Sequence, residues 1–235
     1  LIVGNPPWVR WSKLPPLYRD RVKPTCLQYD IFSATPHHGG NELDISGIIT
    51  YTVADKRLRD GGLLAFVITQ THLQSPSSAG FRQFKVNEGD RLIPISVDDH
   101  KNLKPFPDAA KKTAVAVFKK SSQEAPTYPV PYYVSSPALG ATQAIPVGVD
   151  LGQVMQRVLI AEDEATPVSS VGSPWAILPK GRFPLIAKLT QGERWVQGRK
   201  GITVDLNGVY FVQVLDVNCD NNRVLIETRP EAGKK

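Results

Sequence analysis

Asn5-Pro6-Pro7-Trp8 is the segment of this chain whose residue types and order can act on a small polar group. An exocyclic amine, such as N6 of adenine, is a poor nucleophile because its lone pair is delocalised into the ring. A site helps by accepting hydrogen bonds from both amine protons, which favours a tetrahedral nitrogen. The side-chain carbonyl of Asn5 and the backbone carbonyl of Pro6 are such acceptors, since proline keeps its C=O and has no N–H. Two successive prolines stiffen the loop, so the acceptors are aimed before a substrate arrives. Trp8 adds an aromatic face on which a base taken out of its stack can rest.

Such a loop needs a rigid support, and the flanking pattern supplies one. Leu1 to Val3 reads as a short buried parallel strand ending at Gly4, which sets the loop at the carboxyl end where α/β sheets place their ligands. Residues 5–43 read as loop with at most one helical turn. Asp44 caps an amphipathic helix with Ile45, Ile48, Ile49, Thr52 and Val53 on one face, and Gly61-Gly62 stops it. Leu63 to Thr69 has the length and continuous apolar character of a central parallel strand. A helix over Phe81 to Val86 and strands over Leu92 to Val97 and Thr113 to Phe118 complete an α/β domain. The pattern predicts that Leu1–Val3 and Leu63–Thr69 are adjacent parallel strands with Asn5–Trp8 at their carboxyl ends.

Tyr128 to Tyr132, with its alternate prolines, reads as an extended crossover. A short helix near Leu151 to Leu159 and the Pro/Ser/Gly stretch at 166–174 mark the expected domain boundary. Beyond it, Val209 to Leu215 and Val224 to Glu227 read as β structure, with turns at Asn207-Gly208 and Asp220-Asn221-Asn222. The expected organisation is a catalytic half over 1–135, a linker over 136–170 and a mainly-β domain from 171 to 235.

Gly4-Asn5-Pro6-Pro7-Trp8 resembles the catalytic tetrapeptide of the amino-methyltransferases that use S-adenosylmethionine. Leu58 to Thr69 resembles that family's passage of helix, Gly-Gly and strand, and Phe81-Arg82-Gln83-Phe84 is similar to the helix that follows. Phe106-Pro107 with Lys111-Lys112-Thr113-Ala114-Val115 looks like its base-pocket motif ahead of the last strand. The likeness is greatest to the single-chain type IIG restriction–modification enzymes, and it covers residues 1–135 well and the rest weakly. It implies an α/β fold, namely the second half of a Rossmann-like methyltransferase sheet followed by part of a mainly-β recognition domain. It also implies transfer of a methyl group from S-adenosylmethionine to N6 of a flipped-out adenine in double-stranded DNA, with a nuclease domain elsewhere on the same polypeptide.

Position by position, the resemblance has Asn5 and Pro6 hold the target amine, Pro7 stiffen the turn and Trp8 stack on the base. Phe106 either contacts the base or fills a turn as a core residue. Asp44 and Ile49 match the segment that borders the cofactor's adenine, although Asp44 also reads as a plain helix cap. Arg10, Trp11 and Lys13, together with Arg19, Arg21 and Lys23, form a basic stretch interleaved with aromatics, suited to a DNA backbone. Lys111 and Lys112 are expected beside that DNA. Gly198-Arg199-Lys200-Gly201-Ile202-Thr203 and Asn207 to Phe211 resemble a recurrent segment of target-recognition domains, in which Arg199, Lys200 and Thr203 meet DNA; an ordinary basic β-turn is the other reading.

The family's Gly-rich loop and acidic residue for S-adenosylmethionine do not occur in these 235 residues. The chain is therefore expected to be a piece of a longer protein, to bind the cofactor weakly or not at all alone, and to expose Leu1–Val3 as a sheet edge.

Composition bounds the rest. Hydrophobic residues make up 41% and charged residues 21% of the chain, which describes a globular protein with apolar mass for a core. A net charge of +6 suits a polyanionic partner. No apolar run approaches the roughly 20 residues of a membrane span, and Cys26 and Cys219 read as reduced thiols of a cytoplasmic protein. His37-His38-Gly39-Gly40 reads as a loop rather than a metal site, His72 and His100 stand alone, and no nucleophilic triad emerges, so no metal is expected. Two rival readings remain. One is a methyltransferase acting on RNA or on a protein glutamine, and the other is a non-catalytic module that only recognises DNA.

Overall fold

The computed structural model describes residues 1–32, 43–103, 105–106, 112–138, 148–184, 212–218, 220–221 and 223–228. The chain divides into two compact units, Leu1–Thr190 and Gln191–Lys235.

The first unit is built on a seven-stranded mixed sheet. Its strands are β1 (Ile2–Gly4), β2 (Leu63–Thr69), β3 (Arg91–Asp99), β4 (Thr113–Ser121), β5 (Val130–Pro137), β6 (Val158–Pro167) and β7 (Trp175–Pro179), in the order β1-β2-β4-β3-β5-β6-β7. β1 pairs with β2 in parallel, Ile2 opposite Leu64 and Gly4 opposite Phe66, as the apolar pattern predicts. β4 runs antiparallel between β2 and β3, while β5 is parallel to β3. β1, β2, β3 and β5 therefore point the same way, and their carboxyl ends share one edge of the sheet. β6 and β7 extend it antiparallel.

Among the described residues four α-helices accompany the strands: α1 (Pro16–Gln28), α2 (Ile45–Lys56), α3 (Thr71–Gln74) and α4 (Leu151–Gln156). Asp44 caps α2 as expected, its carboxylate accepting from Ser46 N at 3.0 Å. α2 packs on β2 and is buried on more than the predicted stripe: Ser46, Gly47, Thr50, Tyr51 and Ala54 are enclosed, whereas Ile49, Thr52 and Val53 are half-buried. The helix ends at Lys56, and Gly61, at φ +71°, makes the turn that a side chain would strain before the chain enters β2. One face of the sheet carries the core, where Leu64, Phe66, Ile68, Leu92, Val97, Ala116 and Phe118 meet Tyr51, Phe81, Phe84 and Trp175. The other face of β2 is only half-covered at Ala65 and Val67, so this strand lacks the two-sided burial its apolar run suggests.

Several expectations need correction. The stretch read as loop from 5 to 43 contains the 13-residue α1, started by Pro16 in its first turn and carrying Pro24 inside. The helix expected over Phe81–Val86 is a three-residue turn, Phe81–Gln83, because Phe84 takes a left-handed conformation at φ 54° and no helix continues through it. The 136–170 span expected as a linker with a short helix holds that helix, α4, but also β6, and the stretch at 166–174 contains the turn that joins β6 to β7 inside the sheet. Trp175, just past that turn, is 4% exposed and packs at 5.9 Å from Phe84.

In the second unit an antiparallel hairpin is described, β8 (Val212–Asn218) with β9 (Arg223–Thr228), close to the strands expected there. No helix among the described residues is long and apolar enough to cross a membrane.

Candidate active site at the carboxyl edge of the sheet

The Asn5–Trp8 loop leaves β1 at the shared carboxyl edge, beside the end of β2. Gly4 passes close to Phe66; a Cβ there would stand 3.0 Å from the ring, so the strand and loop sit tight on β2. Pro6 is buried, while Asn5 and Pro7 are exposed. The indole Nε1–H of Trp8 donates to the backbone carbonyl of Val67 at 3.0 Å, one residue past the last β1–β2 pairing. Phe106 packs its ring against Trp8 with centroids 5.0 Å apart and planes at 77°. This edge contact leaves no slot between the two rings for a planar base, so Trp8 and Phe106 form one aromatic wall.

The far end of the loop is tied to α2. Ile45 N donates to the Val9 carbonyl at 2.9 Å and Trp11 N to the Leu43 carbonyl at 2.7 Å, with Arg10 and Asp44 in an antiparallel bridge. Trp11 packs on Phe32 at 5.0 Å. The loop is thus held at β2 by Trp8 and at α2 by Val9 and Trp11, which fixes its path independently of any ligand.

Asp44, 1% exposed, also accepts from Ser46 Oγ at 2.9 Å, and that hydroxyl lies 2.8 Å from His72 Nε2. With its proton on Asp44, Ser46 receives the Nε2–H of His72. The order carboxylate, hydroxyl, imidazole differs from a nucleophilic triad, in which the imidazole stands in the middle. Its work is to bind the start of α2 to α3 under the loop. His72, which stands alone in the sequence, is thus part of a network joining residues 26 positions apart.

Along the same edge, Thr69 and Thr71 share a hydroxyl contact of 2.6 Å, and Gln70 N donates to the Lys112 carbonyl at 3.1 Å. Asp99 is fully buried; it accepts from Tyr132 Oη at 2.9 Å and from Lys101 N at 2.8 Å. The Tyr132 hydroxyl is pushed upward by burial and by the Asp99 charge, so it stays a donor. The Gln70–Lys112 and Tyr132–Asp99 pairs have no local sequence signature, because each unites segments far apart in the chain.

Of the residues singled out in the sequence, the structure gathers Asn5, Pro6, Pro7, Trp8 and Phe106 at one place, with Asp44 and the half-buried Ile49 on the adjoining helix. Arg10, Lys13 and Lys112 are exposed, as are Arg21 and Lys23 on α1; Arg19 and Trp11 are half-buried. His37–Gly40, Pro107, Lys111, Arg199, Lys200, Thr203 and the 207–211 segment lie outside the described residues. Among the described residues no group of His, Cys, Asp and Glu could hold a metal ion.

No protein-family model matches the sequence, and no curated protein matches it. Solved structures do match in shape. An ATP-dependent Type ISP restriction-modification enzyme, LlaBIII, bound to DNA is similar over 74% of this chain at 14% identity and a TM-score of 0.42. The type IIG restriction endonuclease BpuSI is similar over 69% at 15% identity and a TM-score of 0.42, and the DrdV–DNA complex over 73% at 16% identity and 0.44. The matched region spans 12%, 19% and 18% of those chains.

Proposed function

We propose that this chain supplies the substrate-holding half of an S-adenosylmethionine-dependent DNA adenine-N6 methyltransferase. The observation that carries the reading is the Asn-Pro-Pro-Trp loop at the carboxyl end of β1, with its tryptophan bonded to β2 and backed by Phe106. The flipped base stacks on the Trp8–Phe106 wall, and its exocyclic amine donates to the Asn5 side-chain carbonyl and the Pro6 backbone carbonyl. Extruding the base costs a few kcal/mol, which stacking and these hydrogen bonds offset. As the amine nitrogen becomes tetrahedral both acceptors strengthen their hold, so their contribution falls on the transition state. Net charge and the exposed Arg10, Lys13, Arg21, Lys23 and Lys112 suit the phosphate backbone.

The described residues do not by themselves make a cradle for S-adenosylmethionine. Asp44 is 1% exposed and already accepts from Ser46 N and Oγ, and Ile49 offers only aliphatic contact. When bound, that cofactor supplies the methyl group; the chain described supplies the acceptor side of the transfer. Isothermal calorimetry of this chain with S-adenosylmethionine is expected to show weak binding or none. Micromolar affinity would relocate the cofactor site into these residues.

The functional test is Asn5→Ala in the methylation-competent protein that carries these residues. Formation of N6-methyladenine on DNA should fall by several orders of magnitude while DNA affinity and the fold persist. Near-normal turnover would remove Asn5 from the mechanism. The same assay on RNA and on a protein glutamine separates the other substrate classes.

A further inference from the structure

A second chemistry-bearing feature lies on the sheet face opposite the core, at the ends of β3 and β5. Asp98 is the register partner of Val115 on β4 and of Tyr133 on β5. Strand alternation then turns Asp98, His100, Val115 and Ser135 to this face, away from the buried Val97, Asp99 and Ala114. With Leu103 and Met155 they line a cavity of about 370 Å³, within the range of about 300–1,000 Å³ usual for small-molecule sites.

We propose that this cavity is a binding site for an uncharged nucleobase ring, separate from the one at Trp8; the proposal rests on the nucleic-acid reading above. Its polar groups, the Asp98 carboxyl, the His100 imidazole and the Ser135 hydroxyl, gather where β3 and β5 end, and the remaining walls are aliphatic. Such an arrangement fits a flat heterocycle, whose faces meet methyl groups and whose edge offers both donors and acceptors. His100 Nδ1 is buried with no hydrogen-bond partner among the described residues, an omission that a ring edge would repair. Burial pushes the Asp98 carboxyl up and the His100 imidazole down, both toward their neutral forms, which disfavours a charged ligand. Neither Lys nor Arg is among the described lining residues, so a phosphate would lack a counter-charge inside. Pro105 lines the cavity and its chain neighbour Phe106 packs on Trp8, which brings the cavity beside the proposed DNA path.

Met155 is the single methionine of the chain and lines the cavity, so methyl-labelled methionine gives one NMR resonance that reports on it. The 235-residue chain is titrated with adenosine, with thymidine, with a single-stranded DNA oligonucleotide and with its abasic counterpart. A saturable shift of the Met155 methyl with a nucleoside, or with the base-bearing but not the abasic strand, supports the site and tells a free ligand from a strand. His100→Ala should weaken that binding about tenfold by removing one buried hydrogen bond. Val154→Trp, a half-buried position on α4, should fill the cavity and abolish the shift while circular dichroism stays unchanged. No saturable shift with any base-bearing probe, an equal shift with the abasic strand, or a shift that survives Val154→Trp overturns the proposal. Asn5→Ala should leave this binding intact, so loss of methylation and loss of cavity binding are distinguishable failures.

Discussion

At the scale of single residues, burial decides which groups take part in chemistry. Cys26 is fully buried near the end of α1, and burial pushes its thiol up to about 12 from 9.0. The folded state keeps the proton that an unfolded chain would release, so this contribution to stability is complete below pH 9 and is lost as pH rises toward 12. Tyr51 and Tyr132 are pushed in the same direction by burial and add to the effect. Urea midpoints measured from pH 8 to pH 11 should therefore fall with pH. At pH 8 Cys26 should resist iodoacetamide in the native chain and react after denaturation, with peptide mass spectrometry assigning the site. Rapid native alkylation at Cys26 would contradict the burial.

At the scale of elements, α2 shows how an end is set by one side chain. Asp44 satisfies the Ser46 amide and hydroxyl together, and Asp44→Ala should cost about 1–2 kcal/mol, measured by urea unfolding. Asp44→Asn should recover most of that, since an amide oxygen also caps; equal losses in the two variants would indicate that charge, rather than capping, is what the position needs. This element was legible because its cap and apolar residues are local in sequence, and β2 was legible for its length and composition. α1 was not, because its exposed residues include Arg21 and Lys23, only Cys26 among its side chains is fully buried, and Pro24 lies inside it. The Phe81–Val86 stretch misleads for the opposite reason: Phe81, Arg82 and Phe84 are all buried, yet by tertiary packing around a turn rather than along a helix face. The loop Asn5–Trp8 could be read because its four residues are contiguous. The Asp44–Ser46–His72 network and the Asp98–His100–Ser135 wall could not, since each depends on strands or helices that pair only in the fold.

At the scale of the whole molecule, Arg82 links distant parts of the first unit. Its guanidinium is fully buried; Nε donates to the carbonyls of Gly172 and Ser173 at 3.1 and 2.8 Å, and Nη1 donates to the His72 carbonyl at 2.7 Å. Burial pushes this group down to about 10, and the three carbonyls are what its charge meets in place of water. A chain cut after residue 135 would lose the two carbonyls of the β6–β7 turn and the Trp175 ring that covers Phe84. Residues 1–135 alone should therefore fail to give a cooperative thermal transition, whereas residues 1–190 should melt cooperatively. A sharp transition for the shorter piece would show that β5–β7 are dispensable.

That guanidinium also bears on how such chains could be recombined. If the segment beyond the first unit selects a DNA sequence, exchanging it between related proteins requires a joint that severs no buried bond. The apparent seam at 166–174 fails this condition, because the turn within it accepts two of the three hydrogen bonds from Arg82. A chimera joined there would inherit a foreign turn facing a buried cation, and would be unstable however well its recognition residues were chosen. The division between Thr190 and Gln191 leaves the cation and its carbonyls within one parent, and is where a transplant has a physical basis for folding.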